Sequence, residues 1–368
     1  MKFFAILSRY ITKQLVSNFL VVFFAILSII LMFEGIEALR KISGHDDISL
    51  WFAAQLAITR MSKTTEVVIP FVMMVAAMIT FWRLSKNNEF VVMRSAGVSM
   101  FSFLKPLIIA VFAIGILNVT ALNPVTSKLY ELHEVLDYKL DTHDPNAVLF
   151  SSKGLWIREG LDDGRVFLLQ AKSLRQEGEA IWMREVSITE LNNEEHTTKS
   201  YEAYFAVLED DVIELKDVKV MQGGKPVEFL NSYEYKTNIN IQRIKENFVE
   251  PNAISFWQLP EAISFYEHAG FSATRLRMRF FGLLVSPFLL VGMMLIAAIF
   301  MLQNTMRGSH LLIKVVLGVA IGFLVYFSSQ VVYAFGVNGY IPVWLAVSAP
   351  TLIILLISSS MLVSSDEV

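Results

Sequence analysis

Several residue types and motifs that would point to catalysis are missing from this chain. It contains no cysteine, which excludes disulfides, thiolate metal sites and a cysteine nucleophile. Its six histidines have no spacing typical of a metal site. There is no G-x-x-x-x-G-K-[ST] phosphate loop and no G-x-S-x-G nucleophile turn. The sequence therefore does not support a hydrolase or a nucleotide-binding chain. No metal, no cofactor and no nucleic-acid partner are expected.

Charge is also missing from long stretches of the chain. Of the 368 residues 54% are hydrophobic, and the mean hydropathy is +0.52. About 20 apolar helical residues cross a membrane. The uncharged runs are 14–33, 67–82, 106–127, 280–306 and 315–365. The second run is long enough if its helix begins near Arg60, and the turn-like 336–342 divides the last run in two. Six membrane spans are predicted.

Lysine and arginine in the short flanks predict the orientation of these spans, because cytoplasmic flanks carry the excess of positive charge. Nine lie on one side: Lys2, Arg9, Lys13, Arg83, Lys86, Arg94, Lys105, Arg307 and Lys314. Four lie on the other: Arg40, Lys41, Arg60 and Lys63. The count places both termini in the cytoplasm and the large polar block between the third and fourth spans outside it. Arg275, Arg277 and Arg279 oppose this bias and call for an explanation.

The polar block, 124–275, has the pattern of an inserted all-β domain. Short runs rich in β-branched and aromatic residues alternate with turn clusters, which favours an antiparallel sandwich or a jelly roll. The predicted strands are 148–158, 165–171, 180–191, 200–208, 211–221 and 225–242. Several of them are apolar at more positions than one buried face needs. Either a thick packed core or a groove for an apolar ligand accounts for this excess. Residues 255–268 then form a predicted amphipathic helix at the membrane surface.

The loop between spans 2 and 3 carries a short predicted helix at about 87–96. Phe90, Val92 and Met93 are its apolar positions, Glu89 and Arg94 supply one acid and one base, and Gly97 is a plausible C-terminal cap. Such a helix is suited to docking onto another protein. It would equally serve as an ordinary interfacial helix that ties two spans together.

Two motifs in these regions resemble those of a known family. Residues 89–99, EFVVMRSAGVS, resemble the E-[LF]-x-x-[ML]-[RQ]-[AS]-[SA]-G motif of the lipopolysaccharide-export permeases (LptF/LptG, YjgP/YjgQ type). Gly154, Leu155 and Trp156 resemble the S-x-x-G-L-W strand that opens the periplasmic domain of that family. The resemblance covers essentially the whole chain and leans toward the LptG branch.

The resemblance implies a fold, a function and a set of partners. The expected fold is six transmembrane helices plus an inserted periplasmic β-jelly roll, with domains at 1–123, 124–254 and 255–365. The expected function is that of a permease subunit in the inner membrane of a Gram-negative bacterium, which extracts lipopolysaccharide from the outer leaflet. The expected partners are a homodimeric ABC ATPase of LptB type that binds ATP and magnesium, a second permease of LptF type, and a periplasmic bridge of LptC/LptA type. The alternative is a membrane-anchored binding or sensor module that transports nothing.

The resemblance also assigns roles to particular residues. It makes 87–96 the helix that couples the permease to the ATPase, with Glu89 as the main polar contact. Lipid A carries phosphates, and arginine offers them a bidentate fork. The outer-side bases are therefore candidate phosphate ligands: Arg40, Lys41, Arg275, Arg277 and Arg279. Pairing with nearby glutamates or ordinary anionic lipid would explain them equally well.

Two further expectations depend on this resemblance. The LptG branch has a basic residue where this chain has Glu34, so the phosphate contact assigned to that position passes to Arg40 or Lys41, or the lipid A is phosphorylated differently. The surplus of apolar strand positions becomes a prediction that part of the β-domain interior is a groove for acyl chains.

Overall fold

We describe the fold from a computed structural model that covers most of the chain. The described residues are 2–43, 49–95, 97, 99–140, 147–151, 154–160, 166–177, 180–191, 197–209, 212–222, 226–237, 250–268, 272–302 and 311–366. They form two compact units. Unit 1 comprises Met1–His133, Ser255–Trp257 and Thr274–Val368, and unit 2 comprises Glu134–Ile254 and Gln258–Ala273.

Nine α-helices occur among the described residues. They are α1 (Lys2–Ile42), α2 (Leu50–Lys86), α3 (Glu89–Ser95), α4 (Met100–Leu117), α5 (Asn123–Leu140), α6 (Leu259–His268), α7 (Thr274–Leu302), α8 (Leu311–Val337) and α9 (Val343–Asp366). A π-helical turn, Asn118–Leu122, joins α4 to α5, and a short 3₁₀ turn, Pro251–Ala253, precedes α6.

The prediction of six membrane spans is confirmed. In the described part of the chain, six helical stretches are long and apolar enough to cross a membrane: Ile6–Ile42, Leu50–Lys86, Met100–Asp137, Thr274–Leu302, Ile313–Val337 and Val343–Ser364. Span 2 begins ten residues before the expected position near Arg60. Its N-cap is Ser49, whose side-chain oxygen accepts a hydrogen bond from the Phe52 amide. A serine cap satisfies an amide that the first helical turn leaves without a partner, which explains the earlier start.

The core of unit 1 is built mainly by α2 and α7. Met73, Met74 and Phe81 of α2 and Met294 of α7 are fully buried in it. In the most apolar windows of these two helices, 56% and 67% of the residues are buried, against 17% for α1 and 11% for α8. Helices α1 and α8 are thus attached along one narrow side, and most of their apolar surface faces outward.

The third span continues far beyond its apolar run. The helix passes through the π turn and ends only at Leu140, so the predicted domain boundary at residue 124 lies within it. The first turn of α5 hydrogen-bonds to Glu66 of α2, through Asn123 and Thr126. Compact unit 2 begins at Glu134.

Unit 2 contains an antiparallel sheet of seven described strands. They are β1 (Ala147–Ser151), β2 (Gly154–Gly160), β3 (Val166–Glu177), β4 (Ala180–Leu191), β5 (Thr197–Glu209), β6 (Val212–Gln222) and β7 (Glu228–Lys236). They pair in sequence order from β1 to β7. The predicted strand 148–158 is two strands, because the chain reverses between Ser151 and Gly154, which face each other in the register.

A crease runs across this sheet and bends it. Glu185 of β4 and Asp217 of β6 have positive φ, 50° and 56°, which non-glycine residues seldom adopt. The registers place both opposite Tyr204 of β5. At this level two successive residues of β4 point outward, and the same happens in β6. The alternation of side chains restarts after the crease, so both halves of each strand keep an apolar face toward the interior.

The bend brings strands that are not neighbours in the ladder into contact. Tyr201 of β5 stacks on Tyr233 of β7, with 4.9 Å between ring centroids, although its register partner is Val220. Tyr235 of β7 meets Phe167 of β3 edge to face at 5.1 Å. The end of β7 therefore lies across the inner face of the sheet.

The interior of unit 2 is packed at the described positions. Phe167, Ile181, Ile188, Ala206 and Leu215 are all 0% exposed. Side chains that lined an open groove would be exposed to solvent. The prediction of an acyl-chain groove is therefore wrong for this part of the interior, since side chains from the inner face of the bent sheet fill it.

Candidate functional site

Helix α3 is held firmly against the rest of unit 1. Phe90 and Met93 are 3% and 6% exposed and belong to the same buried cluster as Phe81 and Phe103. The Phe90 ring contacts the Phe103 ring at 5.5 Å. Two residues with positive φ bracket the helix, Asn88 at 58° and Gly97 at 79°. Gly97 lies just beyond the helix, as predicted, and its amide donates to the carbonyl of Arg94.

The outward face of α3 consists of other residues. Val91 and Val92 are 47% and 64% exposed, and Arg94 is also exposed. Glu89 lies at the start of the helix, where its carboxylate accepts a hydrogen bond from the side-chain amide of Asn87 at 3.1 Å. Of the predicted docking residues, Phe90 and Met93 therefore anchor the helix inside the chain. Val91 and Val92, the exposed apolar residues of this face, were not among the predicted docking residues.

The strand motif of unit 2 lies at the hairpin between β1 and β2. Gly154 opens β2 and pairs with Ser151 in the register. Leu155 pairs with Phe150, and Trp156 pairs with Leu149. The motif thus marks the beginning of the sheet.

Arg40 and Lys41 lie in the last turn of α1, beside a group of paired charges between α1 and α2. Arg40 donates to Glu37 at 2.7 Å, but the arginine side chain remains 76% exposed. Glu34, which replaces the base expected from the resemblance, accepts from Arg60 of α2 at 3.0 Å. Arg60 also approaches Glu37 at 4.0 Å. A cation is therefore present beside position 34, but it comes from span 2, which the motif comparison did not predict.

The three arginines of α7 have different surroundings. Arg275 and Arg277 are exposed, whereas the Arg279 side chain is 19% exposed and forms an ion pair with Glu66 of α2. The Glu66 side chain is 15% exposed and also accepts hydrogen bonds from Asn123 and Thr126. The helical spacing of 275, 277 and 279 cannot reveal this difference, because the partner is 213 positions away in the sequence.

The electrostatics of unit 2 are most unusual at Tyr201. Burial raises the pKa of its phenol far above the ordinary value, and the hydrogen bond that it donates to the Tyr233 hydroxyl at 3.3 Å raises it further. The Lys199 ammonium lies 4.9 Å from the centre of the Tyr201 ring. This group holds the end of β7 on the inner face of the sheet. Among the residues that the structure describes, no group of three or more histidine, aspartate or glutamate side chains is placed to hold a metal ion.

Comparison with known proteins gives a consistent result. The sequence profile of the family "Lipopolysaccharide export system permease LptF/LptG" matches residues 9–364. The chain is similar to the lipopolysaccharide export system permease protein LptG of Escherichia coli K12, with 21% identity over 345 residues, 89% of each chain. It is also similar to the LptG of Haemophilus influenzae, with 20% identity over 372 residues, 94% of this chain and 95% of the relative.

The matched region includes all six spans and the inserted sheet, so one homology accounts for both compact units. A sensor module without transport is not favoured, since the family consists of export permeases. With its helical membrane unit, its β-domain and its anchored helix α3, the chain belongs to the LptF/LptG family and is a multi-pass permease of the lipopolysaccharide export system in the bacterial inner membrane.

Proposed function

We propose that this permease works with a partner ATPase through helix α3. The observation that carries the proposal is the division of labour within this helix. Phe90 and Met93 fix it to the membrane core, while Val91 and Val92 leave an apolar surface on its outer side. An exposed apolar patch with charged residues at its edge is typical of a protein-binding surface. The partner would be a homodimeric ABC ATPase of LptB type, which would bind ATP and magnesium, since this chain has no phosphate loop.

A rigid anchor is what such coupling requires. A force applied to the outer face of α3 is transmitted only if the helix cannot rotate on its own. The close packing of Phe90 on Phe103, and of Phe103 on Phe81, supplies that rigidity. Closure of the ATPase would then move spans 2 and 3 directly, because these helices flank α3 in the chain.

The second part of the proposal concerns the membrane partner. Helices α1 and α8 expose most of their apolar surface, including Phe24, Phe33, Phe323 and Phe327. Lipid covers such a surface as well as protein does, so its area alone does not identify a partner. The family relationship makes a second permease of LptF type the expected partner, with lipopolysaccharide entering between the two subunits beside α1 and α8.

The third part concerns the substrate and its exit. We propose that Arg40, Lys41, Arg275 and Arg277 contact lipid A phosphates, and that Arg60 contributes positive charge beside Glu34. The strong exposure of Arg40 supports this role. By the distribution of lysine and arginine, unit 2 would lie in the periplasm and pass the lipid to a bridge of LptC/LptA type.

The docking surface is tested by placing a charge in it. Val91→Glu should reduce the amount of ATPase subunit that co-purifies with the permease about tenfold, because a carboxylate would be buried without a partner. Val227→Glu in unit 2 is the matched control, since Val91 and Val227 are 47% and 46% exposed. It should retain the ATPase. Retention of the ATPase by both variants would contradict the proposal.

A further inference from the structure

The feature that prompts a further inference is the π-helical turn Asn118–Leu122 within the third span. A π turn inserts one residue into an α-helix, is uncommon, and occurs frequently at functional sites. Here the backbone N–H of Asn123 donates to the backbone carbonyl of Asn118, five residues earlier. The insertion changes the direction in which all later residues of the helix point. Asn123, 1% exposed, is the first residue of the helix that follows.

Asn123 and Thr126 both point toward Glu66 of α2. The Asn123 side-chain nitrogen donates to Glu66 Oε1 at 2.8 Å, and the Thr126 hydroxyl donates to the same oxygen at 2.6 Å. The other carboxylate oxygen, Oε2, accepts from the Arg279 guanidinium of α7. One carboxylate, mostly removed from water, therefore connects spans 2, 3 and 4.

The side-chain oxygen of Asn123 connects the Glu66–Arg279 ion pair to the segment 255–257, where the chain returns from the β-domain to the membrane unit. Its Oδ1 accepts a hydrogen bond from the Phe256 backbone amide at 2.8 Å. The Trp257 indole N–H donates to the Thr120 carbonyl within the π turn at 3.3 Å. The Phe256 ring stacks on Phe280 of α7, with centroids 5.4 Å apart. The segment 255–257 is thus fixed to spans 3 and 4 by backbone, amide and ring contacts.

We propose that Asn123 is a positioning residue that makes spans 2, 3 and 4 and the segment 255–257 move as one body during export. Asparagine suits this place because a single short side chain offers both a donor and an acceptor. Aspartate would present a second carboxylate to Glu66, and leucine would offer neither bond. The proposal depends on the ATP-driven cycle described under Proposed function, because only a driven movement needs the three spans to stay together.

The first test replaces Asn123 with leucine, which has nearly the same size. Asn118→Leu is the matched control in the same helix, because the Asn118 side-chain oxygen is buried without a hydrogen-bond partner among the described residues. The purified complex with its ATPase is examined by hydrogen exchange of the peptide that contains Phe256. Asn123→Leu should speed exchange at this peptide about three- to tenfold, the effect of one lost hydrogen bond. Asn118→Leu should leave it unchanged.

The second measurement is the amount of lipopolysaccharide released per ATP hydrolysed. Asn123→Leu should keep most of the ATPase rate but release several-fold less lipid per ATP, whereas a purely structural defect would lower both together. Unchanged exchange at the Phe256 peptide, or an unchanged ratio, would overturn the proposal. If the wild-type complex shows no ATP-dependent release, the driven cycle itself fails, and the exchange result still reports on the Asn123 contacts.

If Asn123→Leu does not fold, a second experiment exchanges the carboxylate and the amide between positions 66 and 123. The double variant Glu66→Gln with Asn123→Asp keeps one amide and one carboxylate between spans 2 and 3, and the aspartate can still accept from Phe256. Each single variant should lower the ratio of lipid released to ATP hydrolysed. The double variant should recover it in part, because the amide–carboxylate bond between spans 2 and 3 returns while Arg279 keeps only the neutral oxygen of Gln at position 66. A double variant as impaired as the worse of the two single variants would also refute the proposal.

Discussion

The contact between α4 and α7 leaves no room for a single added carbon. A Cβ atom on Gly115 would lie 2.5 Å from Pro287 Cα and 2.7 Å from Pro287 Cβ. Carbon atoms in favourable contact are about 3.5–4.0 Å apart. The nearer atom belongs to the backbone, so Gly115→Ala forces the two helices apart by roughly 1 Å. Small residues at helix contacts in membranes permit this close approach.

The expected size of the effect follows from two opposing contributions. Alanine is better than glycine inside a helix by up to about 1 kcal/mol. Overpacking of a closed contact costs about 1–3 kcal/mol. Separation of the helices would also weaken the nearby edge-to-face contact of Phe112 with Phe288, whose centroids are 5.1 Å apart. We expect Gly115→Ala to lower the free energy of unfolding by about 1–2 kcal/mol.

Gly282 provides the control for this prediction. It also lies in a helix, α7, but a Cβ atom added there meets no atom within 4 Å. Gly282→Ala should leave the stability unchanged or raise it slightly, because only the helix preference remains. Unfolding of both variants is followed by circular dichroism while a denaturing detergent is added. A Gly115→Ala protein that is as stable as the Gly282→Ala protein would refute the packing argument.

Two further predictions concern the charged and titratable groups. Arg279→Gln should lower the free energy of unfolding by about 3 kcal/mol, because it leaves the Glu66 carboxylate without its cation. Arg275→Gln should leave the stability unchanged and weaken lipopolysaccharide binding instead. Equal stability of the two variants would contradict the separation of their roles. The raised pKa of Tyr201 predicts that the wild-type protein is fully stabilised by this group below about pH 10, the ordinary value for a tyrosine, and loses that stabilisation as the pH rises further. Its stability advantage over Tyr201→Phe should therefore shrink by up to about 1.4 kcal/mol per pH unit above pH 10 in detergent unfolding, and a constant difference would show that the phenol is not buried as described.

Helix α3 shows how much of the structure a local sequence pattern can predict. Its position, its end at Gly97 and its apolar character were predictable, because they depend on residues within one or two turns. The side that is buried depends on Phe81 and Phe103, which lie in the two neighbouring spans. A seven-residue helix with apolar residues at 90, 91, 92 and 93 has no single apolar face, so the sequence could not distinguish anchor from docking surface.

The β-domain shows the same limit at longer range. Most strands were predictable from their composition and turn clusters. The crease at Glu185 and Asp217 was not, because positive φ at glutamate or aspartate has no sequence signal of its own. The apolar surplus that predicted a groove is used instead to pack the two halves of a bent sheet against each other.

The sequence by itself determined the number of spans, the presence of an inserted β-domain, the lack of cysteine and of a phosphate-loop motif, and the family. These follow from the composition, the periodicity of apolar residues and short motifs, all of which depend on residues close together in the sequence. Only the tertiary structure decided that Arg279 belongs to Glu66, that Arg60 compensates Glu34, and that Asn123 connects three spans to the returning chain. The physical reason is that each pairing joins residues from different helices, and helix packing decides which charges and amides can meet.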